Sequence, residues 1–446
     1  MEASLSAQLF AAAVLVVSYA LIVTEKVHRT VAAMAGAAAV LMAGGKLGII
    51  DPARYPTELH FLQEAVDWNT IGLLLGMMII VGLLKDTGFF EFIAVKIAKL
   101  SKGDPWKIML LFASATAVLS AFLDNVTTVL LIAPVTVSIM LTLELNPVPF
   151  LISEVIASNI GGTATLIGDP PNIIIGSGAG LGFNEFILNL APIVAVVFVI
   201  SLAYLRLVFR HELAKKPGSL EEVMRMNEWE QIRDRGLLIK CLGVLLMVIV
   251  LFFLHTTLGV EPSTVALFGA ALLLLITFEH PDRALNQVEW SVLLFFAGLF
   301  VIVKGVEEVG LIERAATLAV DATGGSLGTA MLVVLWSSAM ASAVVDNIPF
   351  TATMVPMIHS MSASPELASQ IARVEGNPLW WALSLGACLG GNATLIGASA
   401  NVVVAGISER MGYPITFREY LKYAAPITFI TLLVAGVLLY VKTFYM

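Results

Sequence analysis

The chain has 446 residues, of which 58% are apolar and only 13% are charged, and its formal net charge is −8. Soluble domains carry about 25% charged and about 45 to 50% apolar residues, so this composition excludes an ordinary soluble protein and indicates one that crosses the lipid bilayer several times. The acidic balance and the lack of a basic patch give no support to nucleic-acid binding.

Ten segments are apolar and long enough to cross the membrane as helices, given that a hydrocarbon core of roughly 30 Å needs about 20 residues. They are predicted at 7–24, 30–48, 69–85, 149–180, 186–208, 237–255, 263–278, 290–304, 379–406 and 424–442. A cleaved signal peptide is not expected, because no basic region precedes the first segment and a second one follows directly. The fold class is therefore an all-α polytopic membrane protein.

Two further apolar stretches, at about 106–142 and 327–361, are each about twice as long as one span. Each breaks near its middle, at Asp124-Asn125 and at Asp346-Asn347, and we interpret each as a re-entrant helical hairpin. A carboxylate at the centre of a membrane helix costs roughly 2.5 to 3.5 kcal/mol, so a duplicated one indicates an ion or substrate pathway. A structural alternative is helix capping, which Asp and Asn favour.

The spans at 149–180 and 379–406 contain breaks of similar sequence. The first reads Asn159-Ile-Gly161-Gly162-Thr163-Ala-Thr165-Leu-Ile-Gly168-Asp169-Pro170-Pro171-Asn172, and the second reads Cys388-Leu-Gly390-Gly391-Asn392-Ala-Thr394-Leu-Ile-Gly397-Ala398-Ser399-Ala400-Asn401. A helix can break at this depth only where other protein groups or the water of a cavity form hydrogen bonds with the freed backbone N–H and C=O groups. We therefore predict a polar site near the midplane, of the kind that inverted-repeat transporters form from broken helices. The glycine pairs also suit close helix packing.

The two halves of the chain are duplicates. An offset of 222 residues (346 − 124) pairs the hairpin tips and also pairs Trp68 with Trp290, and an offset of 229 (390 − 161) pairs the breaks. We predict a first repeat at 1–209, a cytoplasmic linker at 210–236 and a second repeat at 237–446. Since each repeat has five spans, an odd number, the second repeat must be inverted relative to the first.

The basic residues give the predicted orientation, because cytoplasmic loops collect Lys and Arg. With both termini outside and the linker in the cytoplasm, only six of the 25 Lys and Arg residues fall outside, namely Lys46, Arg54, Lys304, Arg314, Arg373 and Lys442. The expected location is the inner (plasma) membrane. Two cysteines at no metal-binding spacing suggest neither a metal site nor a cofactor.

The hairpin tips and the Gly-Gly-Thr-Ala-Thr-Leu-Ile-Gly-Asp-Pro-Pro-Asn segment resemble the arsenite/antimonite permeases and NhaD-type sodium/proton antiporters of the ion transporter superfamily, which also includes sodium-coupled carboxylate carriers. The resemblance covers nearly the whole chain and is greatest to the arsenite permeases. It implies two inverted repeats that meet at a midplane site. The residues that it implies for substrate binding are Asp124, Asn125, Thr128, Asn159, Gly161, Gly162, Thr163, Thr165, Asp169, Asn172, Asp346, Asn347, Thr351, Gly390, Gly391, Asn392, Thr394, Ser399 and Asn401.

The resemblance also implies extrusion of arsenite or antimonite by alternating access, with protons as the driving ion. Asp124, Asp169 and Asp346 are the candidate proton carriers, since burial favours the neutral form of a carboxyl group. Cys388 is either an arsenic ligand or, as is usual for a lone Cys in an apolar helix, a small hydrophobic residue. A soluble ATPase subunit would contact the linker.

Two other functions remain open at this point. Sodium/proton antiport uses the same acidic residues. An intramembrane aspartyl protease would use Asp124 and Asp346 as a dyad that shares a proton, although such an enzyme has no need of the duplicated breaks. The sequence has no HExxH, GxSxG or P-loop motif, which would indicate a metalloprotease, a hydrolase or an ATP-driven pump.

Overall fold

A computed structural model describes residues 4–24 and 26–445, and all the regular structure in these ranges is helical. The helices before the linker are α1 (Leu5–Thr24), α2 (Arg29–Leu47), α3 (Glu58–Ala65), α4 (Trp68–Asp86), α5 (Phe89–Ser101), α6 (Pro105–Ser120), α7 (Asn125–Thr142), α8 (Val148–Gly162), α9 (Pro170–Ala179) and α10 (Phe183–Val208). The linker contains α11 (Arg210–Leu213), α12 (Leu220–Arg225) and a 3₁₀ helix (Glu228–Gln231). The second repeat contains α13 (Arg235–Leu258), α14 (Pro262–Thr277), α15 (Pro281–Leu285), α16 (Trp290–Glu308), α17 (Leu311–Ala322), α18 (Leu327–Val344), α19 (Asn347–Ser362), α20 (Pro365–Ile371), α21 (Pro378–Gly390), α22 (Ser399–Arg410) and α23 (Phe417–Tyr445).

The predicted all-helical polytopic fold is confirmed. Nine helices of the described residues are long and apolar enough to cross a membrane, and seven of them coincide with predicted spans. The other two, α7 and α18, are arms of the hairpins α6–α7 and α18–α19. The predicted span at 263–278 is the 16-residue helix α14, and the two broken spans are the pairs α8–α9 and α21–α22.

Two amphipathic helices, α5 and α17, were not among the predicted spans. Each begins after a glycine with a positive φ, Gly88 at 81° and Gly310 at 73°, a conformation that favours glycine because it has no Cβ. In α17 the buried residues Ile312, Ala316 and Val320 recur every four positions along one face. These helices are too short and too polar on their second face to cross the bilayer, which is why a search for apolar runs misses them.

A long helix of each repeat packs against a helix of the other repeat. Helix α4 packs on α14, and its equivalent α16 packs on α2. A Cβ on Gly76 of α4 would lie 2.5 Å from the Ala266 carbonyl carbon, and one on Gly298 of α16 would lie 2.8 Å from that of Ala33. The equivalent glycines therefore allow the same close backbone approach in each repeat.

Contacts at the helix ends show that the repeats are inverted. Thr30 at the start of α2 donates a hydrogen bond to the Ser291 carbonyl at the start of α16 at 2.7 Å, so these two helices begin on the same side. Arg283, just before α16, forms an ion pair with Asp86 at the end of α4 at 3.0 Å. The end of α4 thus lies beside the start of its equivalent α16, and the two helices cross in opposite directions.

The linker is folded against the first repeat. Lys99 of α5 lies 2.6 Å from the Glu228 carboxylate, and the Gly218 amide donates to the Leu143 carbonyl at 2.9 Å. Helix α13 begins at Arg235, inside the range predicted for the linker, because Asp234 caps it by accepting from the Leu237 amide at 2.9 Å. The predicted repeat boundaries at residues 1 and 446 lie outside the described residues.

Candidate functional site

Both tip aspartates cap the helices that follow them. Asp124 Oδ1 accepts a hydrogen bond from the Thr127 amide at 2.9 Å, and Asp346 Oδ1 accepts from the Ile348 amide at 3.3 Å. Capping satisfies a free amide of the first turn, so the structural role considered for these residues is present. Capping uses one carboxylate oxygen of each residue, and the second oxygen of Asp346 accepts from Ser399 at 2.6 Å.

A network of asparagine side chains joins the two repeats at the first hairpin tip. Asn125 donates to Asn159 Oδ1 at 3.0 Å, and Asn159 donates in turn to Asn392 Oδ1 at 2.9 Å and to Asn401 Oδ1 at 3.0 Å. All four side chains are buried. We call these four residues the amide network; it brings together predicted site residues from one hairpin and both breaks.

The second tip faces a carboxylate instead of an amide. Asn347 donates to the two Asp169 oxygens at 3.3 and 3.4 Å, and Asp169 is fully buried. Cys388 occupies the position equivalent to Asn159 (388 − 159 = 229) and donates weakly to Asn172 Oδ1 at 3.6 Å. The two halves of the site are therefore built alike but differ in chemistry.

Each break is held by one asparagine. Asn172 donates to the carbonyls of Thr163 at 3.1 Å and Thr165 at 2.8 Å, and Asn401 donates to those of Gly391 and Thr394, both at 2.8 Å. These bonds satisfy carbonyl groups that a continuous helix would otherwise pair, as the membrane interior requires. Asn172 and Asn401 thus stabilise the unwound segments.

The break threonines fix each break to its hairpin tip. The Thr165 hydroxyl donates to the Ala121 carbonyl, and the Thr394 hydroxyl donates to the Ala343 carbonyl. The first glycine of each pair packs tightly against a hairpin: a Cβ on Gly161 would lie 2.1 Å from the Ala117 oxygen, and one on Gly390 would lie 2.5 Å from the Ala339 Cα. The second glycine of each pair lies against its own break, since a Cβ on Gly162 would lie 2.6 Å from the Gly168 oxygen and one on Gly391 would lie 3.1 Å from the Gly397 oxygen. Close packing, the alternative raised for the glycine pairs, therefore describes their contacts.

Two polar atoms at the first tip are buried with no hydrogen-bond partner among the described residues, Asn125 Oδ1 and Thr128 Oγ1. By contrast, Thr351, one turn beyond the second tip, donates its hydroxyl to the Asn347 carbonyl at 2.7 Å, and in the first break the Thr163 hydroxyl donates to the Asn159 carbonyl at 2.7 Å. Buried polar groups are rarely left unpaired. The first tip therefore retains hydrogen-bonding capacity that a ligand can use.

Asp346 has a cationic partner that the sequence analysis did not include. Arg29 Nη1 lies 3.0 Å from Asp346 Oδ2 and also donates to the Ser399 hydroxyl, which donates to the same carboxylate oxygen at 2.6 Å. Arg29 opens α2 and was assigned only to a cytoplasmic flank. Pro262 opens α14, the equivalent helix of the second repeat, so the same position there carries no cation.

Two cavities approach the site from opposite faces. One, of about 370 Å³, is lined by Arg29, Asp346 and Ser399 on the side where α2 and α16 begin. The other, of about 360 Å³, is lined by Asn69 and Ile173 on the side where α4 and α14 begin. The amide network and Asp169 are buried and line neither cavity.

The described residues contain no group of three or more His, Cys, Asp or Glu side chains arranged to hold a metal ion.

A second residue that the sequence analysis missed is Glu154 of α8, a fully buried carboxyl group. Its signal was a carboxyl inside a predicted span, but it has no duplicate in the second repeat.

The comparison with known proteins identifies the family. A family model described as "Citrate transporter" matches residues 19–386. The chain belongs to the citrate transporter family. An uncharacterized transporter of Mycobacterium tuberculosis is 43% identical over 97% of this chain and 98% of its own length, and a 46 kDa membrane protein of Mycobacterium leprae is 44% identical over 96% and 97%.

The human P protein is 38% identical over 93% of this chain, which corresponds to 58% of the longer human protein. The solved YdaH transporter of Alcanivorax borkumensis shares the fold with a TM-score of 0.58 over 90% of this chain and 89% of its own. MtrF of Neisseria gonorrhoeae, described with antimetabolite efflux pumps, gives 0.59 over 91% and 86%. At 15% and 13% identity these two show the fold alone. This member of the citrate transporter family is thus a multi-pass membrane transporter and not an enzyme.

Proposed function

We propose that the transporter works by alternating access and that its substrate binds at the amide network, with arsenite or antimonite extruded in exchange for protons. The observation that carries this proposal is the unpaired hydrogen-bonding capacity of Asn125 and Thr128 beside a fully buried set of amides. Among the described residues no Lys or Arg side chain donates to this network. Arsenite near neutral pH is mostly the undissociated trihydroxide, which needs donors and acceptors and no fixed charge.

Asp169 is the proton carrier that best suits this mechanism. It is fully buried, it belongs to the first repeat, and its two oxygens accept from Asn347 on the tip of the second. A change in its charge would therefore alter a contact between the repeats. Asp124 and Asp346 remain secondary candidates, and the Arg29 ion pair makes Asp346 the one whose charge is already balanced.

Sodium/proton antiport is the second candidate, and the observation that favours it is the fully buried Asp169 carboxylate beside the Asn347 side chain, since oxygen ligands suit hard cations. Transport of citrate, suggested by the family's description, requires groups that stabilise negative charge, such as helix N-termini or cationic side chains. The Arg29 guanidinium lines the cavity beside the second tip, but Asp346 neutralises it.

The experiment is uptake into proteoliposomes that contain the purified full-length protein, with arsenite, antimonite, sodium and citrate tested separately under an imposed pH gradient. We expect arsenite and antimonite uptake above that of empty liposomes, and a loss of at least tenfold in Asp169→Asn. Gly243→Ala is the matched control, because no atom lies within 4 Å of the added methyl group.

Absence of metalloid uptake under every gradient would refute the proposal. Dissipation of the pH gradient by sodium alone would establish the second candidate, and citrate uptake would establish the third. Asp124→Asn and Asp346→Asn, tested in the same way, separate the two tips from Asp169.

We also propose that the linker and the start of α2 face the cytoplasm, on the support of the basic-residue distribution. A soluble ATPase subunit would then contact α11 and α12. Copurification from the native membrane tests this contact, and a chain that purifies without any ATPase would remove it.

A further inference from the structure

Glu154 is a buried carboxyl group outside the amide network. It lies on α8, five residues before Asn159 (159 − 154), and it is fully buried. Its Oε1 accepts a hydrogen bond from the Thr136 hydroxyl of α7 at 2.6 Å. Its Oε2 is buried and has no hydrogen-bond partner among the described residues. The carboxyl group therefore has one neutral partner and one unused oxygen.

The surroundings of Glu154 provide no counter-charge. Helix α8 packs against α6, α7, α10, α21, α22 and α23. Within the part of the chain that the structure describes, no Lys, Arg or His on these helices forms an ion pair or hydrogen bond with the carboxyl group, and no second acid does so. An isolated buried carboxylate is costly, whereas the neutral acid needs only hydrogen bonds. The position is chemically suited to hold a proton.

The second repeat shows that helix packing does not require this carboxyl. The residue equivalent to Glu154 is Leu383 (383 − 154 = 229), and the residue equivalent to Thr136 is Ile358 (358 − 136 = 222). Both are fully buried, and α19 packs on α21 as α7 packs on α8. An apolar pair fills the same place in the same architecture. The Glu–Thr pair of the first repeat is therefore available for a function that the fold does not demand.

We propose that Glu154 is a second proton-binding site of the transporter, located between the first hairpin and the first broken span. Its proton binds at the unpartnered oxygen, comes from water and returns to water, and no electron moves. Because α8 carries both Glu154 and Asn159, the position of this helix connects the proton site to the amide network. The inference deepens the proposed proton-coupled function and rests on it for its role in transport, but proton binding itself can be measured separately.

The first experiment measures proton binding without transport. Infrared difference spectra between acidic and alkaline buffer are recorded on the full-length protein in liposomes, in H₂O and in D₂O. We expect a carboxyl C=O band that shifts in D₂O and that is lost in Glu154→Gln and in the double variant Thr136→Ile/Glu154→Leu. Asp169→Asn should keep this band and lose a different one.

Of the two Glu154 variants, the double variant gives the more specific test, because it introduces the apolar pair that the second repeat already contains. Replacing both partners of a buried hydrogen bond by apolar residues of similar shape can be nearly neutral or stabilising, so we expect thermal unfolding at or above the wild-type temperature. Glu154→Gln, which keeps the volume of the side chain, provides the test if the double variant unfolds early. A carboxyl difference spectrum that is identical in wild type and both variants overturns the proposal.

The second experiment counts the protons moved for each substrate molecule in proteoliposomes that contain a pH-sensitive dye. We expect both variants to move one proton fewer per substrate than the wild type. An unchanged ratio overturns the role of Glu154 in coupling. If the wild type transports none of the tested substrates, the proposed function fails, and the infrared result still decides whether Glu154 binds a proton.

Discussion

Substitution of Gly161 by alanine tests the close contact between the first broken span and the first hairpin. The added Cβ would lie 2.1 Å from the Ala117 carbonyl oxygen and 2.6 Å from its Cα. Such contacts are normally at least 3.0 Å apart, so the two helices must separate by about 0.9 Å (3.0 − 2.1), and the colliding atoms are backbone that cannot rotate away.

Overpacking of this kind costs about 1 to 3 kcal/mol, and alanine regains about 0.5 to 1 kcal/mol over glycine in a helix. Taking the upper end of the first range, because backbone atoms collide, we expect a net loss of about 2 kcal/mol. Gly243→Ala, in α13, meets no atom within 4 Å, so it should gain about 0.5 to 1 kcal/mol.

The assay is thermal unfolding of both variants and the wild type in one detergent, followed by the proteoliposome uptake described above. We expect Gly161→Ala to unfold below the wild type and Gly243→Ala at or above it. Equal unfolding temperatures for the two variants would refute the packing argument, since they would show that the α6–α8 contact yields without cost.

Gly390→Ala should behave like Gly161→Ala in the same unfolding assay, because its Cβ would lie 2.5 Å from the Ala339 Cα; wild-type stability would contradict this. Asn159→Ala removes both hydrogen bonds to the second repeat and should reduce uptake at least tenfold, whereas unaltered uptake would separate the network from transport. The Lys99 hydrogen bond lowers the pKa of the partly buried Glu228 carboxyl, so this pair holds the linker at neutral pH and its contribution is lost as the pH falls through that lowered pKa. Proteolysis of the linker should accelerate on acidification in the wild type and be less pH-dependent in Glu228→Gln; equal pH dependence would contradict this.

The sequence predicts the hairpins and broken spans well because their breaks contain Asp, Asn, Gly and Pro within otherwise apolar runs. Asp124 and Asp346 lie in the interruptions of the two hairpins, each directly before the helix that forms the second arm. The segment around Asp169 separates α8 from α9. These residues are unfavourable in a continuous membrane helix, so their positions are informative without any knowledge of tertiary contacts.

The partners of these residues could not be predicted in the same way. Asn159 bonds to Asn392 and Asn401 of the opposite repeat, a contact that depends on how the inverted halves are docked. Arg29 has the typical position of a basic residue at the cytoplasmic end of a span, so its reach to Asp346 becomes visible only in three dimensions. Glu154 was missed for a different reason, since duplication was the criterion for importance and this residue is not duplicated.

The packing of long helices across the two halves has a consequence for how the chain originated and how it can be divided. Since α4 is covered by α14 and α16 by α2, either half on its own would leave the flank of its own long helix bare. Two identical copies could supply each other's missing cover only by inserting into the bilayer in opposite senses. The two pieces of a chain cut within the linker should therefore assemble with each other in the membrane. The ancestor before gene fusion would have been an antiparallel dimer, with its two subunits inserted in opposite orientations.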